Sequence, residues 1–164
     1  DLFAALVGAG AKPAGIFAQT SMRIEKRFLA YGHDLDTDID PFQAGLEFAL
    51  DWNSDFIGKS ALLERRDQAP TAKLFSIVFD AIDARPLGNE PVRHAGRIIG
   101  KTTSAAFGYR LGKPVAIARL ECESENNLDG LKVDVDIARS QNAGTIFINA
   151  AYDPRGSNMR ASTR

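Results

Sequence analysis

Apolar and polar residues change their rhythm once along this chain, near residue 70. Before that point apolar residues come in short clusters broken by glycine, proline and aspartate. After it, strand-length apolar runs alternate with turns. Residues 1 to 11 suit a short helix that ends in Gly8 and Gly10, followed by a turn at Lys12-Pro13-Ala14-Gly15. Thr20 or Ser21 is the predicted N-cap of a second helix, Ser21 to Leu29. Ala30 to Pro41 is dense in turn residues and reads as a loop, Gln43 to Leu50 as a short extended segment, and Lys59 to Arg66 as a helix closed by Pro70. Leu74 to Phe79 reads as a largely apolar strand, and Val92-Arg93 and Arg97-Ile98-Ile99 flank a hairpin. Val115 to Leu120 is another strand, and Val133, Val135 and Ile137 alternate with charged neighbours over Lys132 to Ile137, the period of a strand buried on one face. Asn142-Ala143-Gly144 is expected to turn into a last strand, Thr145 to Asn149. At least five short strands joined by turns predict a small antiparallel barrel or sandwich. The tail from Tyr152 to Arg164 has no periodicity and is expected to be partly loose.

One residue departs from this patterning. On a helix over Ser21 to Leu29, Met22, Ile24, Phe28 and Leu29 share a side with Glu25, whereas Arg23, Lys26 and Arg27 point the other way. An acid on an apolar face needs a partner, because burying an unpaired charge costs several kcal/mol or shifts its pKa. Two partners suit Glu25: an arginine from elsewhere in the fold, as a structural ion pair, or a ligand carrying donors.

With 45% hydrophobic and 25% charged residues among 164, the chain has the makeup of an ordinary globular protein with one good core or two small ones. No run approaches the ~18 apolar residues of a membrane span, and the start lacks a signal-peptide pattern, so a cytoplasmic location is expected, or a mitochondrial matrix one in a eukaryote. A net charge of −1 provides no electrostatic footprint for nucleic acid or an anionic membrane. Cys122 stands alone, and His33 and His94 are too scattered for a zinc site, so no metal is expected. The opening Asp1-Leu2-Phe3-Ala4-Ala5-Leu6-Val7 reads as a helix already under way, and the chain is expected to be part of something longer.

Three motifs fail on inspection. Gly8-Ala9-Gly10 would need a glycine where Pro13 stands and follows a helix, not a strand, so it is no dinucleotide fingerprint. Gly108-Tyr109-Arg110-Leu111-Gly112-Lys113 is one residue short of a phosphate loop, and Pro114 replaces the hydroxyl residue; it is a turn between strands. The aspartate-rich stretch from Asp34 has Ile39 and Gly45 where a calcium loop needs glycine and glutamate. His33 beside Asp34 is read as a local hydrogen bond before an acid–base couple, and no nucleophile with an adjacent base is evident.

In order and spacing, Ser21-Met22-Arg23-Ile24-Glu25-Lys26, Tyr31-Gly32-His33-Asp34-Leu35, Pro41-Phe42-Gln43-Ala44-Gly45-Leu46 and Asp55-Phe56-Ile57-Gly58-Lys59 resemble the aminomethyltransferase family, that of the glycine cleavage T-protein. Gly88-Asn89-Glu90-Pro91-Val92, Gly100-Lys101-Thr102-Thr103-Ser104 and Leu111-Gly112-Lys113-Pro114-Val115-Ala116 resemble its C-terminal barrel. Phe28 to Asp34 and Tyr152 to Arg160 look closest to the folate-binding half of sarcosine and dimethylglycine dehydrogenases. The resemblance implies an α+β protein: part of an α/β folate-binding region over 1–69, then a small Greek-key or jelly-roll-like antiparallel β-barrel over 70–164.

It further implies a tetrahydrofolate enzyme that captures a one-carbon unit from an amine carrier or iminium as methylene-tetrahydrofolate. Its partners would be folate and a small N-methyl amine or aminomethyl carrier, with FAD only if an upstream oxidoreductase domain exists. The family's R-L-E glutamate hydrogen-bonds the pterin, and Glu25 is the matching residue. Phe17 and Tyr31 fit the pterin slot by position, although core packing is the simpler reading of either. Two departures stand out. Asp51-Trp52-Asn53-Ser54 lacks the basic residue that several relatives use to hold folate, and the family's catalytic aspartate belongs to an N-terminal half that these residues do not include. No catalytic residue is therefore assigned in this chain, and the part alone is expected to be inactive. Two alternatives stand beside this reading: a non-catalytic homologue serving as a structural or assembly module, and a folate-dependent demethylase of the same superfamily.

Overall fold

The structure, a computed structural model, describes residues 1–122 and 127–160. Its centre is a closed barrel of six strands: β1 (Ala72–Phe79), β2 (Pro91–His94), β3 (Arg97–Gly108), β4 (Lys113–Glu121), β5 (Lys132–Ile137) and β6 (Ser140–Phe147). They run in the order β1-β4-β3-β2-β5-β6, with β6 paired back to β1 and every pairing antiparallel. Strands β2, β3 and β4 follow one another through hairpins while β1 lies beside β4, which is Greek-key connectivity. Closure leaves no sheet edge open to another chain.

Strand patterning follows from what each face meets. On β5, Val133, Val135 and Ile137 enter the barrel and the charged residues between them stay outside. On β1 and β4 alternation fails because both faces are covered. Phe75, Ile77, Phe79, Ala116, Ala118 and Leu120 fill the barrel, and Leu74, Val115 and Ile117 face a second cluster with Ile24 and Ala44. Burying each of the larger side chains contributes about 1.5–3 kcal/mol, so the N-terminal region is held to the barrel by apolar contact along these two strands.

That region consists of α1 (Leu2–Gly8), α2 (Ile16–Glu25), α3 (Pro41–Ala44), a 3-10 turn at Glu47–Ala49 and α4 (Lys59–Arg66), and α5 (Ser157–Arg160) closes the described chain. Four local expectations are corrected. The second helix begins five residues earlier than its predicted cap, behind Gly15, and is over by Glu25, so Phe28 and Leu29 lie beyond it. Gln43 to Leu50 is not extended. Asp40 accepts from the Gln43 amide, Gln43 reaches back to the Asp40 amide, and Pro41 occupies the first turn, a capping box that nucleates α3. The last hairpin turns at Ala138 and Arg139, both left-handed at φ 46° and 71°, and not at 142–144. Asn-Gly is the usual occupant of such a turn, so Ala-Arg carried no signal. Gly144 instead sits inside β6, where a Cβ would come within 2.8 Å of the Ile77 side chain. Of the expected loose tail, 152–160 is docked: the Tyr152 amide donates to the Glu25 carbonyl at 3.1 Å. Residues 161–164 lie outside the described residues.

Candidate functional site

α2 lies across β3 with Ser21, Ile24 and Glu25 buried, the spacing of one helical face. After Glu25 the backbone leaves the helix through Lys26 and the left-handed Arg27 (φ 53°), which ends the angular relation that a longer helix would have kept. Arg23, Lys26 and Arg27, expected on the side away from Glu25, all find partners within the fold. Arg27 Nη2 donates to the Leu74 carbonyl, and Lys26 Nζ reaches the Asp153 carbonyl at 2.6 Å and its carboxylate at 3.0 Å. Arg23 turns onto the barrel. Met22 and Phe28, expected on the buried face, are exposed.

Glu25 is 2% exposed. Its Oε1 accepts the backbone N–H of Arg110 at 2.8 Å and of Leu111 at 2.9 Å, both from the turn between β3 and β4. No arginine side chain pairs with it among the described residues, so the expected structural ion pair is replaced by two main-chain donors. Gly108 permits the approach: a Cβ there would stand 2.9 Å from Oε1 and 3.0 Å from the Glu25 Cγ. Ser21 adds a third tie from α2, donating to the Phe107 carbonyl at 2.6 Å.

A second buried carboxylate lies in the loop between α2 and α3. Asp34 has 0% exposure; its Oδ2 accepts Arg23 Nη1 at 2.7 Å and the Ala30 N–H at 3.0 Å, and its Oδ1 accepts the Thr103 hydroxyl at 2.6 Å. Arg23 Nη2 donates to Ser104 Oγ at 2.8 Å. Loop, helix and strand are thus joined by one ion pair and its satellites, and His33 takes no part in it. Sequence reading missed this network because its members stand up to 81 positions apart. Beside it opens a cleft of about 300 Å³, lined by Gln19, Thr20, Arg23, His33, Thr103 and Ser104 among others.

Phe17 and Tyr31 are 87% and 74% exposed. Neither is core, which corrects the simpler of their two readings, and neither lines the cleft. The segment Asp51 to Ser54 has no basic residue of its own, but the fold brings two from α4: Lys59 Nζ donates to the Ser54 carbonyl at 2.8 Å, and the Arg66 guanidinium lies 5.7 Å from the Trp52 ring centre. Three carboxyls are displaced from their ordinary value, one of them Asp51, which the Ser54 hydroxyl and the Asn53 amide hold low. Burial pushes Asp153 up, but the Lys26 hydrogen bond and charge and the Ser157 and Asn158 amides outweigh it and hold the carboxyl low. Asp40 behaves likewise, with burial opposed by the Gln43 amide and Arg65. Among the described residues no group of histidine, cysteine and carboxylate side chains is gathered in a way that could hold a metal ion, and no helix is long and apolar enough to cross a membrane. Chemically, the two buried carboxylates gather backbone and side-chain donors and so tie α2 and the loop after it to β3 and the turn that follows it.

Residues 1–54 match the family model described as the GCVT N-terminal domain, and residues 73–153 match the glycine cleavage T-protein C-terminal barrel domain. A probable aminomethyltransferase of Pyrococcus furiosus is 33% identical over 157 residues, covering 89% of this chain and 38% of that protein. The mitochondrial dimethylglycine dehydrogenase of Mus musculus is 31% identical over 135 residues, covering 81% of this chain and 15% of that protein. The glycine cleavage system aminomethyltransferase T of Bartonella henselae shares the fold at a TM-score of 0.79 and 22% identity, over 91% of this chain and 42% of that one. The chain therefore spans less than half the length of each of these relatives.

Proposed function

We propose that this chain, which belongs to the glycine cleavage T-protein family, is the C-terminal part of a tetrahydrofolate-dependent aminomethyltransferase-like protein. In that reading the complete protein moves a one-carbon unit from an amine or iminium donor to tetrahydrofolate. The observation that carries it is the order of the two domain models: 1–54 and 73–153 follow one another as successive parts of one family's architecture. The exposed apolar residues of α1 and the start of α2, among them Leu2, Phe3, Leu6 and Ile16, suit the surface on which the rest of the folate-binding domain would pack. Boundaries at 1–69 and 70–164 fit the same division, since Pro70 separates α4 from β1.

Within this proposal Glu25 has two tasks. Oε1 fixes the turn after β3, and Oε2 is the oxygen offered to a pterin N–H; Phe17 and Tyr31 supply exposed aromatic surface for the ring. Lys59 and Arg66 stand in for the basic residue that Asp51 to Ser54 lack. Catalysis then depends on positioning an electrophilic carbon against a folate nitrogen, with the reacting carboxylate supplied by the N-terminal half.

Calorimetric titration of the full-length protein with tetrahydrofolate tests this, alongside methylene-tetrahydrofolate formation from an N-methyl amine or aminomethyl donor. Heat of binding that Glu25→Gln weakens about tenfold, as loss of one charged hydrogen bond requires, sustains the proposal. A full-length protein that takes up no tetrahydrofolate would leave the non-catalytic module.

A further inference from the structure

We infer that the end of the barrel away from the β3–β4 turn carries a binding site for a small polyanion, a molecule bearing two or more phosphate or carboxylate groups. The cleft there has a volume of about 940 Å³ and is lined by His94, Arg97, Lys101 and Arg119 at the ends of β2, β3 and β4, with Glu121 as the acid beside Arg97. Two features distinguish it from an ordinary basic surface.

Lys101 and Arg119 are register partners across the β3–β4 ladder. On β4, Ala118 and Leu120 enter the barrel, so Arg119 lies on the outer face with Lys101 opposite. Like charges directly facing one another in a sheet oppose its pairing. The β3–β4 ladder holds this register on both sides of the pair, from Gly100 opposite Leu120 to Gly108 opposite Lys113, and at the neighbouring Gly100 the backbones come so close that a Cβ would lie 2.1 Å from the Arg119 carbonyl. Second, Arg119 Nε is buried and makes no hydrogen bond among the described residues. Lys101 Nζ donates to the neutral Asn89 Oδ1 at 3.2 Å, and Arg97 meets Glu121 only at 3.8 Å. An orphaned buried donor costs the full desolvation of that group.

One oxyanion between the two side chains answers both conditions. It neutralises the facing charges, and the flat guanidinium matches phosphate or carboxylate oxygens in pairs. Arg97 and His94 lie where a second anionic group of the same ligand would fall, and the cleft is large enough for a molecule that carries one. Glu25 and the cleft beside Asp34 share none of these residues, so the inference stands apart from the folate proposal.

The full-length protein is titrated at low ionic strength with inorganic pyrophosphate and, separately, with citrate, by calorimetry and by the shift in Tm. Binding of either probe that falls about tenfold or more in Arg119→Met and in Lys101→Met, and is unchanged in the exposed Arg155→Met, establishes the site. The probe held more tightly identifies the head group as phosphate or carboxylate. Absence of heat and Tm shift with both probes, equal affinity in Lys101→Met, or an equal loss in Arg155→Met would overturn it; Lys101, exposed, keeps the test readable if Arg119→Met fails to fold.

Discussion

The ion pair between Arg23 and Asp34 should be the strongest single polar tie between the N-terminal region and the barrel. Arg23→Met roughly keeps the side-chain length but leaves a carboxylate of 0% exposure with, among the described residues, only the Ala30 amide and the Thr103 hydroxyl. Removing one partner of a buried pair costs about 3–5 kcal/mol, and the 16% exposure of the arginine side chain argues for the lower end, about 3. Asp34→Asn keeps an acceptor for those donors and leaves Arg23 near solvent, so about 2 kcal/mol is expected. In the double variant neither charge is stranded. The loss should then be about 3 kcal/mol, not the sum of about 5, a coupling of about 2 kcal/mol. Urea denaturation of all four proteins measures this, and at about 2–4 °C per kcal/mol for a chain of this size the single variants lie well outside Tm error. Additivity within about 0.5 kcal/mol would refute the argument, because it would mean that Arg23 and Asp34 do not stabilise each other.

Gly108→Ala should destabilise the turn after β3 through the Glu25 Oε1 and Lys113 carbonyl contacts at 2.9 and 3.1 Å, and its loss should be partly shared with Glu25→Gln in the double variant; independent losses by urea denaturation would show that the carboxylate does not clamp the turn. Asp153 titrates below the ordinary 3.8 in the folded protein, so its contribution is fully present above that value and is lost as pH falls through the lowered one. The amide signals of Ser157 and Asn158 should follow that acid transition by NMR and lose it in Asp153→Asn; an unchanged transition in the variant would assign it to another group.

Short-range chemistry is where the residues spoke most clearly. Val133, Val135 and Ile137 announce a half-buried strand by period two, and the α4 helix and the β2–β3 hairpin stand where their breakers put them. Glu25, an acid on an apolar face, needs partners by its position alone, and it has them. Legibility failed where a local signal was overruled or absent: Asn142-Ala143-Gly144 looks like a turn but is strand, while Ala138-Arg139 looks like nothing and is the turn. In the first case pairing with β1 and β5 outweighs the preference of three residues. In the second the closed ladder leaves two left-handed positions to whatever side chains occupy them.

By itself the sequence determined an antiparallel barrel or sandwich after residue 70, an acid that could not be left unpaired, and a family written in ordered blocks. These depend on spacing and residue type, which the chain states directly. Only the tertiary structure decided which donors Glu25 takes, that Arg23, Lys26 and Arg27 turn inward, and that Asp34 joins loop, helix and strand. It alone set Lys101 against Arg119 across one ladder. Partners dozens of residues apart are chosen by where the strands close and where the helix stops, and no local pattern encodes either.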